Sequence, residues 1–106
     1  MKIQQNGDTL CAGEVRELDA ANARAFQEAV IDAMTDSVKN VEIDLSQTVF
    51  LDSCGLGALI ALQKTMFPRG GLVRLLNPSP AAQQLLELTR LHRILEIVKH
   101  DEIPAR

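Results

Sequence analysis

The chain has 106 residues, a net charge of −3 and only three aromatic residues, Phe26, Phe50 and Phe67. That length suits one modest hydrophobic core and leaves no room for a second lobe, so residues 1–106 are expected to form a single domain. Neither a basic groove nor a stacking platform for bases is visible, which sets nucleic acid aside as a partner.

The start of the chain, Met1-Lys2-Ile3-Gln4-Gln5-Asn6, turns polar almost at once and lacks the apolar core of a signal peptide. No apolar run approaches the roughly 20 residues needed to span a bilayer. A cytoplasmic protein with no membrane insertion is expected. Cys11 and Cys54 are too far apart to form a CxxC pair, and a reducing cytosol would hold both as thiols. Cys11 reads as a small core residue.

In chain order, residues 2–5 and 9–16 flank Asn6-Gly7-Asp8, whose Asn-Gly pair predicts a β-hairpin. From Asp19 onward Ala20, Ala23, Phe26, Val30, Ala33 and Met34 recur at helical spacing, with Asp19 available as N-cap. This first helix fades at Ser37-Val38-Lys39-Asn40. Residues 41–45 alternate apolar and acidic as a strand, Ser46-Gln47-Thr48 interrupts, and Val49-Phe50-Leu51 leads as a strand to Asp52-Ser53. Leu56, Leu59, Ile60, Gln63 and Phe67 predict a short second helix with one polar lapse, stopped by Pro68-Arg69-Gly70-Gly71. Residues 72–76 form the next strand. Asn77-Pro78-Ser79-Pro80 turns the chain into a third helix marked by Ala82, Leu85, Leu86 and Thr89, with Pro80 near its first turn. Residues 94–98 close the pattern as a last strand.

An initial hairpin followed by alternating helices and strands predicts an α/β fold: a small mixed β-sheet, antiparallel at one edge and otherwise built of right-handed parallel crossovers. A strand covered on both faces would read as an unbroken apolar run. Here Glu42 and Asp44 alternate with Val41, Ile43 and Leu45, Arg74 separates Val73 from Leu75, and Glu96 separates Leu95 from Ile97. Helices are therefore expected mainly on one face, with Arg74 facing Glu42 or Glu96 on the other.

The most informative stretch is Val49-Phe50-Leu51-Asp52-Ser53-Cys54-Gly55-Leu56-Gly57, where a strand-like run breaks and restarts as a helix. It places the Ser53 hydroxyl at the junction, where it can cap the helix for about 1 kcal/mol or lie among unpaired backbone N–H groups at the positive end of the helix dipole. A hydrolase nucleophile elbow does not fit, because position 51 is Leu where that turn needs Gly and only His92 and His100 could act as base. Gly55-Leu56-Gly57 lacks the Gly-Lys-Ser/Thr of a phosphate loop and belongs to no GxGxxG pattern. The two histidines stand eight apart without cysteine or carboxylate ligands at metal spacing, so no metal and no cofactor is expected. Cys54 beside a helix start could carry an activated thiol, yet no resolving cysteine lies nearby. A redox or hydrolytic enzyme would need a base or a resolving thiol that the chain does not place, and the protein is read as a non-enzyme.

Val41-Glu42-Ile43-Asp44-Leu45-Ser46, then Phe50-Leu51-Asp52-Ser53-Cys54-Gly55-Leu56-Gly57, a helix, a Gly-Gly turn and a strand before Asn77-Pro78-Ser79-Pro80 closely resemble the STAS domain of bacterial anti-sigma-factor antagonists. The approach to the first helix, Glu17-Leu18-Asp19-Ala20-Ala21-Asn22-Ala23, resembles the same family, and the likeness covers nearly the whole chain. Its most specific element is Asp-Ser-x-Gly-Leu-Gly, in which the family's phosphorylated serine directly follows the aspartate. The resemblance implies that Ser53 is the phosphoacceptor.

It further implies partner switching. The unmodified domain would bind an anti-sigma factor that is also a serine kinase and so free the sigma factor. The kinase would then phosphorylate Ser53 and let go, and a serine phosphatase would reset the switch. A phosphoserine brings roughly −1.5 to −2 charges, and Asp52 beside it would sharpen repulsion at a packed interface. The implied contact surface is Asp19, Asn22, Asp52, Ser53, Cys54, Gly55 and Leu56, with Asp19 also a cap and Leu56 also a candidate for the core.

Three departures from the family pattern stand out. Arg16 occupies a position where many members have glycine. Cys54 replaces a second serine and leaves one hydroxyl at the junction. Residues 99–106 are short for the fourth helix the family usually has. A similar stand-alone domain that served as an accessory or scaffold subunit of a transporter ATPase or a sensor complex would use the same junction as a contact surface without a phosphate cycle.

Overall fold

The turn at Gly7-Asp8 starts the fold, and the computed structural model describes residues 1–99. Asn6 pairs with Thr9, which leaves a two-residue loop in which Gly7 takes φ +63°, a value that glycine reaches without strain. The hairpin strands are β1 (Lys2–Asn6) and β2 (Thr9–Gly13). The second strand stops short of the expected Arg16 because Glu14 adopts φ +57° and breaks the extended backbone. The chain then forms β3 (Glu17–Leu18), α1 (Ala23–Asp32), β4 (Asn40–Asp44), β5 (Phe50–Leu51) and α2 (Ser53–Met66). A 3-10 turn over Phe67–Arg69 leads to β6 (Val73–Leu76), α3 (Pro80–Leu88), a second 3-10 turn at Leu91–Arg93 and β7 (Glu96–Val98).

The main sheet has the order β1-β2-β4-β6-β7, antiparallel only between β1 and β2. This is the mixed α/β sheet that the sequence predicts. On one face Leu10, Val41, Ile43, Val73 and Leu75 are buried, and they join Phe26 and Val30 of α1, Leu59, Leu62 and Met66 of α2, and Leu86 of α3 in one hydrophobic core. The other face holds the half-buried Glu42, Asp44 and Arg74. Arg74 does not choose between its acidic neighbours: its guanidinium lies 3.5 Å from both Glu42 and Glu96. Glu42 and Glu96 flank it in register on the adjacent strands, so the three charges form one cross-strand ladder.

Three expectations from sequence are corrected. The second helix is not short but the longest, at 14 residues. Its polar lapse has a structural use, since Gln63 Oε1 accepts from the Val73 N–H at the start of β6, 2.8 Å away. The first helix begins at Ala23 rather than at Asp19, because residues 19–22 form a hydrogen-bonded turn before it. Most consequential, the strand before Ser53 does not join the main sheet. β5 instead pairs with β3 as a separate two-stranded parallel ribbon, Glu17 opposite Phe50 and Leu18 opposite Leu51.

That ribbon is held from below by Thr48, the one fully buried polar side chain among the described residues, whose hydroxyl donates to the Val15 carbonyl. Ser79 in turn donates to the Thr48 carbonyl and caps α3 at the Ala82 N–H. The expectation of a missing or shortened fourth helix falls mostly on residues 100–106 and lies outside the described residues.

Leu62 is fully buried at the centre of this packing, and Leu62→Ala is expected to cost about 2–5 kcal/mol of unfolding free energy. Arg74→Ala, which breaks only a partly solvated charge ladder, is expected to cost less than about 1 kcal/mol. Urea titration of both variants measures the contrast.

Candidate functional site

The junction singled out by sequence is built by the β3/β5 ribbon. Parallel pairing carries Leu51 alongside Leu18, and the Asp52 N–H still donates to the Leu18 carbonyl at 3.3 Å, so the backbone stays extended through Asp52 at φ −120°, ψ −174°. The helix begins one residue later. The N-cap is therefore Asp52, whose Oδ1 accepts from the Gly55 N–H at 3.0 Å while its carbonyl accepts from Leu56 at 3.0 Å. Ser53 is the first helical residue and does not serve as the cap. Aspartate and serine are equally good caps by type; only the ribbon's register decides which of the two adjacent residues takes the position.

Gly55 is needed for this approach. A Cβ there would run into the Leu18 carbonyl and lie 2.8 Å from the Leu51 side chain, so α2 can start against the ribbon only with hydrogen at that position. The stretch Asp-Ser-x-Gly is thus a packing motif as well as a chemical one.

The second part of the site is the turn over residues 19–22, between β3 and α1. Asp19 Oδ1 accepts from the Ala21 N–H at 3.0 Å, and the Asp19 carbonyl receives the Ala23 N–H at 2.7 Å. Asn22 stands at the N-cap position of α1 but makes no side-chain cap bond there. Its amide points back into the turn instead, Oδ1 accepting from the Asp19 N–H at 2.9 Å and Nδ2 donating to the Glu17 carbonyl at 2.7 Å. Asp52 Oδ2 reaches across to accept from the Ala20 N–H at 3.0 Å. The structure thus brings Asp19, Asn22, Asp52 and Ser53 together. This bridge from Asp52 to Ala20 carries no local sequence signal, since its partners are 32 residues apart.

Exposure sorts the remaining candidates. Ser53 and Cys54 are exposed, whereas Gly55 and Leu56 are buried. Leu56, placed on the contact surface by the sequence reading, is 5% exposed and packs into the core, so its side chain offers no contact area. The hydrogen bond to Gly55, with help from Ala20, holds the Asp52 carboxyl below the usual carboxylate range against the opposing effect of desolvation. Elsewhere, Cys11 is half-buried on the open sheet face rather than in the core, and burial, with the Glu42 charge, pushes its thiol up. Both cysteines are free thiols.

No cluster of metal-ligating side chains occurs among the described residues. His92 lies on the 3-10 turn after α3, with Nδ1 3.4 Å from the Leu86 carbonyl, and His100 falls outside the described residues. A groove of about 650 Å³ between α1 and the segment after β2 is lined by Val15, Arg16, Ala25, Phe26 and Ala29 among others, with no serine, threonine, cysteine or histidine in its wall. No helix among the described residues is long and apolar enough to cross a membrane.

The lowered pKa of Asp52 has a stability consequence of definite sign. A carboxyl whose folded pKa lies below its unfolded value of about 3.9 contributes stability that is complete above that pH and is lost as pH falls through the folded value. Asp52→Ala is therefore expected to be less stable than the parent near neutral pH, with the gap closing in acid. Urea titrations at neutral pH and at successively lower pH measure it.

With this geometry in view, the similarities to known proteins are informative. The STAS domain family matches the chain over residues 1–102. A Thermotoga maritima protein provisionally named an anti-sigma factor antagonist is 31% identical over 83 residues, spanning 77% of this chain and 74% of its own length. The anti-sigma-B factor antagonist of Bacillus subtilis is 25% identical over 100 residues, spanning 94% of this chain and 91% of its own. The structure of the anti-sigma factor antagonist SpoIIAA in its unphosphorylated form superposes with a TM-score of 0.79 at 19% identity, covering 95% of this chain and 90% of that one. Phosphorylated Bacillus SpoIIAA superposes with a TM-score of 0.71, also at 19% identity, covering 95% and 93%. At that identity the two superpositions establish the shared fold. With the family pattern running through nearly every element of the mixed sheet and its helices, the chain belongs to the STAS domain family.

Proposed function

We propose that this chain is an anti-sigma-factor antagonist, that it binds an anti-sigma factor with serine kinase activity while Ser53 is unmodified, and that phosphorylation of Ser53 ends the binding. The observation that carries this reading is the position of Ser53: an exposed hydroxyl at the first residue of α2, with the capping role held by the neighbouring Asp52. Modifying it does not remove the cap on which the helix start depends. The relatives named anti-sigma factor antagonists support the choice of partner. SpoIIAA, solved with and without phosphorylation, supports the view that this fold accommodates the modified state.

In this reading the kinase transfers the γ-phosphoryl group of ATP to Ser53 Oγ. An O–P bond forms, the hydroxyl proton leaves and ADP departs. The helix N-terminus tolerates the added charge, whereas a partner packed on Ser53, Cys54 and the turn at residues 19–22 meets bulk, desolvation and repulsion reinforced by Asp52. A serine phosphatase hydrolyses the ester and restores binding. The chain acts by binding, and the chemistry belongs to its partners in the cytoplasm.

Incubation with the cognate kinase and ATP is expected to place one phosphate, on Ser53, as read by mass spectrometry. Modification elsewhere, or none by an active kinase, overturns the reading. Ser53→Ala is expected to keep its stability within about 0.5 kcal/mol, as an exposed position that is not the cap, and to bind the kinase without release. Ser53→Asp is expected to bind poorly. Calorimetric titration of both variants checks this pair, and equal affinity for the two contradicts the charge mechanism.

A further inference from the structure

Both oxygens of the Asp52 carboxylate are hydrogen-bonded within the chain itself. Oδ1 accepts from Gly55 in the first turn of α2 and Oδ2 accepts from Ala20 in the β3–α1 turn, each at 3.0 Å. That turn has little else to hold it on this side. Ala20 and Ala21 are exposed and carry only methyl groups, and the buried apolar residues nearest in sequence, Leu18 and Ala23, lie outside the turn. At its other end both amide atoms of Asn22 are directed inward, to the Asp19 N–H and the Glu17 carbonyl. The turn closes on itself through the Asn22 and Ala23 N–H groups, both donating to the Asp19 carbonyl, and through the Ala21 N–H donating to Asp19 Oδ1, while the side-chain bonds that tie it to β3 and to α2 come from two residues, Asn22 and Asp52.

We infer that Asp52 and Asn22 are positioning residues: Asp52 straps the turn onto the start of α2, Asn22 ties it to β3, and together they preset residues 19–21 and Ser53 as a single surface. Two elements far apart in sequence are thereby presented to a partner in one fixed relation. Without the strap the turn would have to be ordered on binding, at a cost in conformational entropy. The strap itself is a property of the isolated chain. Only its consequence for a partner rests on the function proposed above.

Asparagine at position 52 separates the two halves of the device. Its single carbonyl oxygen can keep the cap on Gly55, a role in which asparagine is as good as aspartate. Its NH2 group would then face the Ala20 N–H, donor against donor, and that bond is lost. The test is amide hydrogen exchange by NMR on the full chain and on Asp52→Asn, Asp52→Ala and Asn22→Ala, with thermal unfolding showing that each variant remains folded. In Asp52→Asn, Ala20 is expected to exchange about tenfold faster than in the parent while Gly55 keeps its protection. Asp52→Ala is expected to lose protection at both amides, and Asn22→Ala at Asp19. Unchanged exchange of Ala20 in both Asp52 variants overturns the strap.

With a kinase that modifies Ser53, Asn22→Ala and Asp52→Asn are both expected to raise KM for the chain severalfold at nearly constant kcat. Asn22→Ala leaves the Asp52 charge in place, so a rise confined to Asp52→Asn overturns the positioning role in favour of direct charge recognition. If the parent chain is not phosphorylated at all, the proposed function fails while the exchange result on the strap stands independently.

Discussion

Two close approaches at the start of α2 govern the shape of this site. Gly55 comes against the Leu18 carbonyl, where any side chain would collide, and Asp52 uses one carboxylate to join the α2 N-terminus to the turn before α1. The first contact is steric and admits only glycine. The second is electrostatic and satisfies two backbone donors with one residue. Together they join the ends of two short strands into one corner that displays the exposed Ser53 at the first residue of α2.

The corner stands on a layered base. Thr48 joins the loop after β4 to the segment before β3, and Ser79 ties that same loop to the cap of α3. Beneath it the parallel strands β4 and β6 present Val41, Ile43, Val73 and Leu75 to the helices and keep charged residues on the opposite face. The division of labour is physical. Apolar burial fixes where α2 lies, and a handful of hydrogen bonds fixes how its first turn is displayed.

Much of the fold was legible because hydrophobic periodicity reports on burial directly. The alternation of Glu42 and Asp44 with Val41, Ile43 and Leu45 revealed a sheet covered on one face, and Arg74 between apolar neighbours pointed to the charge ladder that the structure contains. The turn at Gly7 and the stop at Gly70-Gly71 followed from residues whose backbone preferences are strong. Less legible were features that depend on pairing across the chain. The two residues of β5 show no period long enough to reveal that they leave the main sheet for β3. Asn22, placed by the resemblance on the contact surface, directs both amide atoms into the turn before α1, to partners its local sequence does not reveal.

At the junction itself, the sequence alone determined that a strand meets a helix at Asp52-Ser53, because periodicity and capping preference are chain-local. Only the tertiary structure decided which residue caps, which candidates are exposed and what Asp52 joins. Those outcomes depend on the register between β3 and β5 and on an N–H group 32 residues away. Register is a property of paired strands, and no single strand carries it.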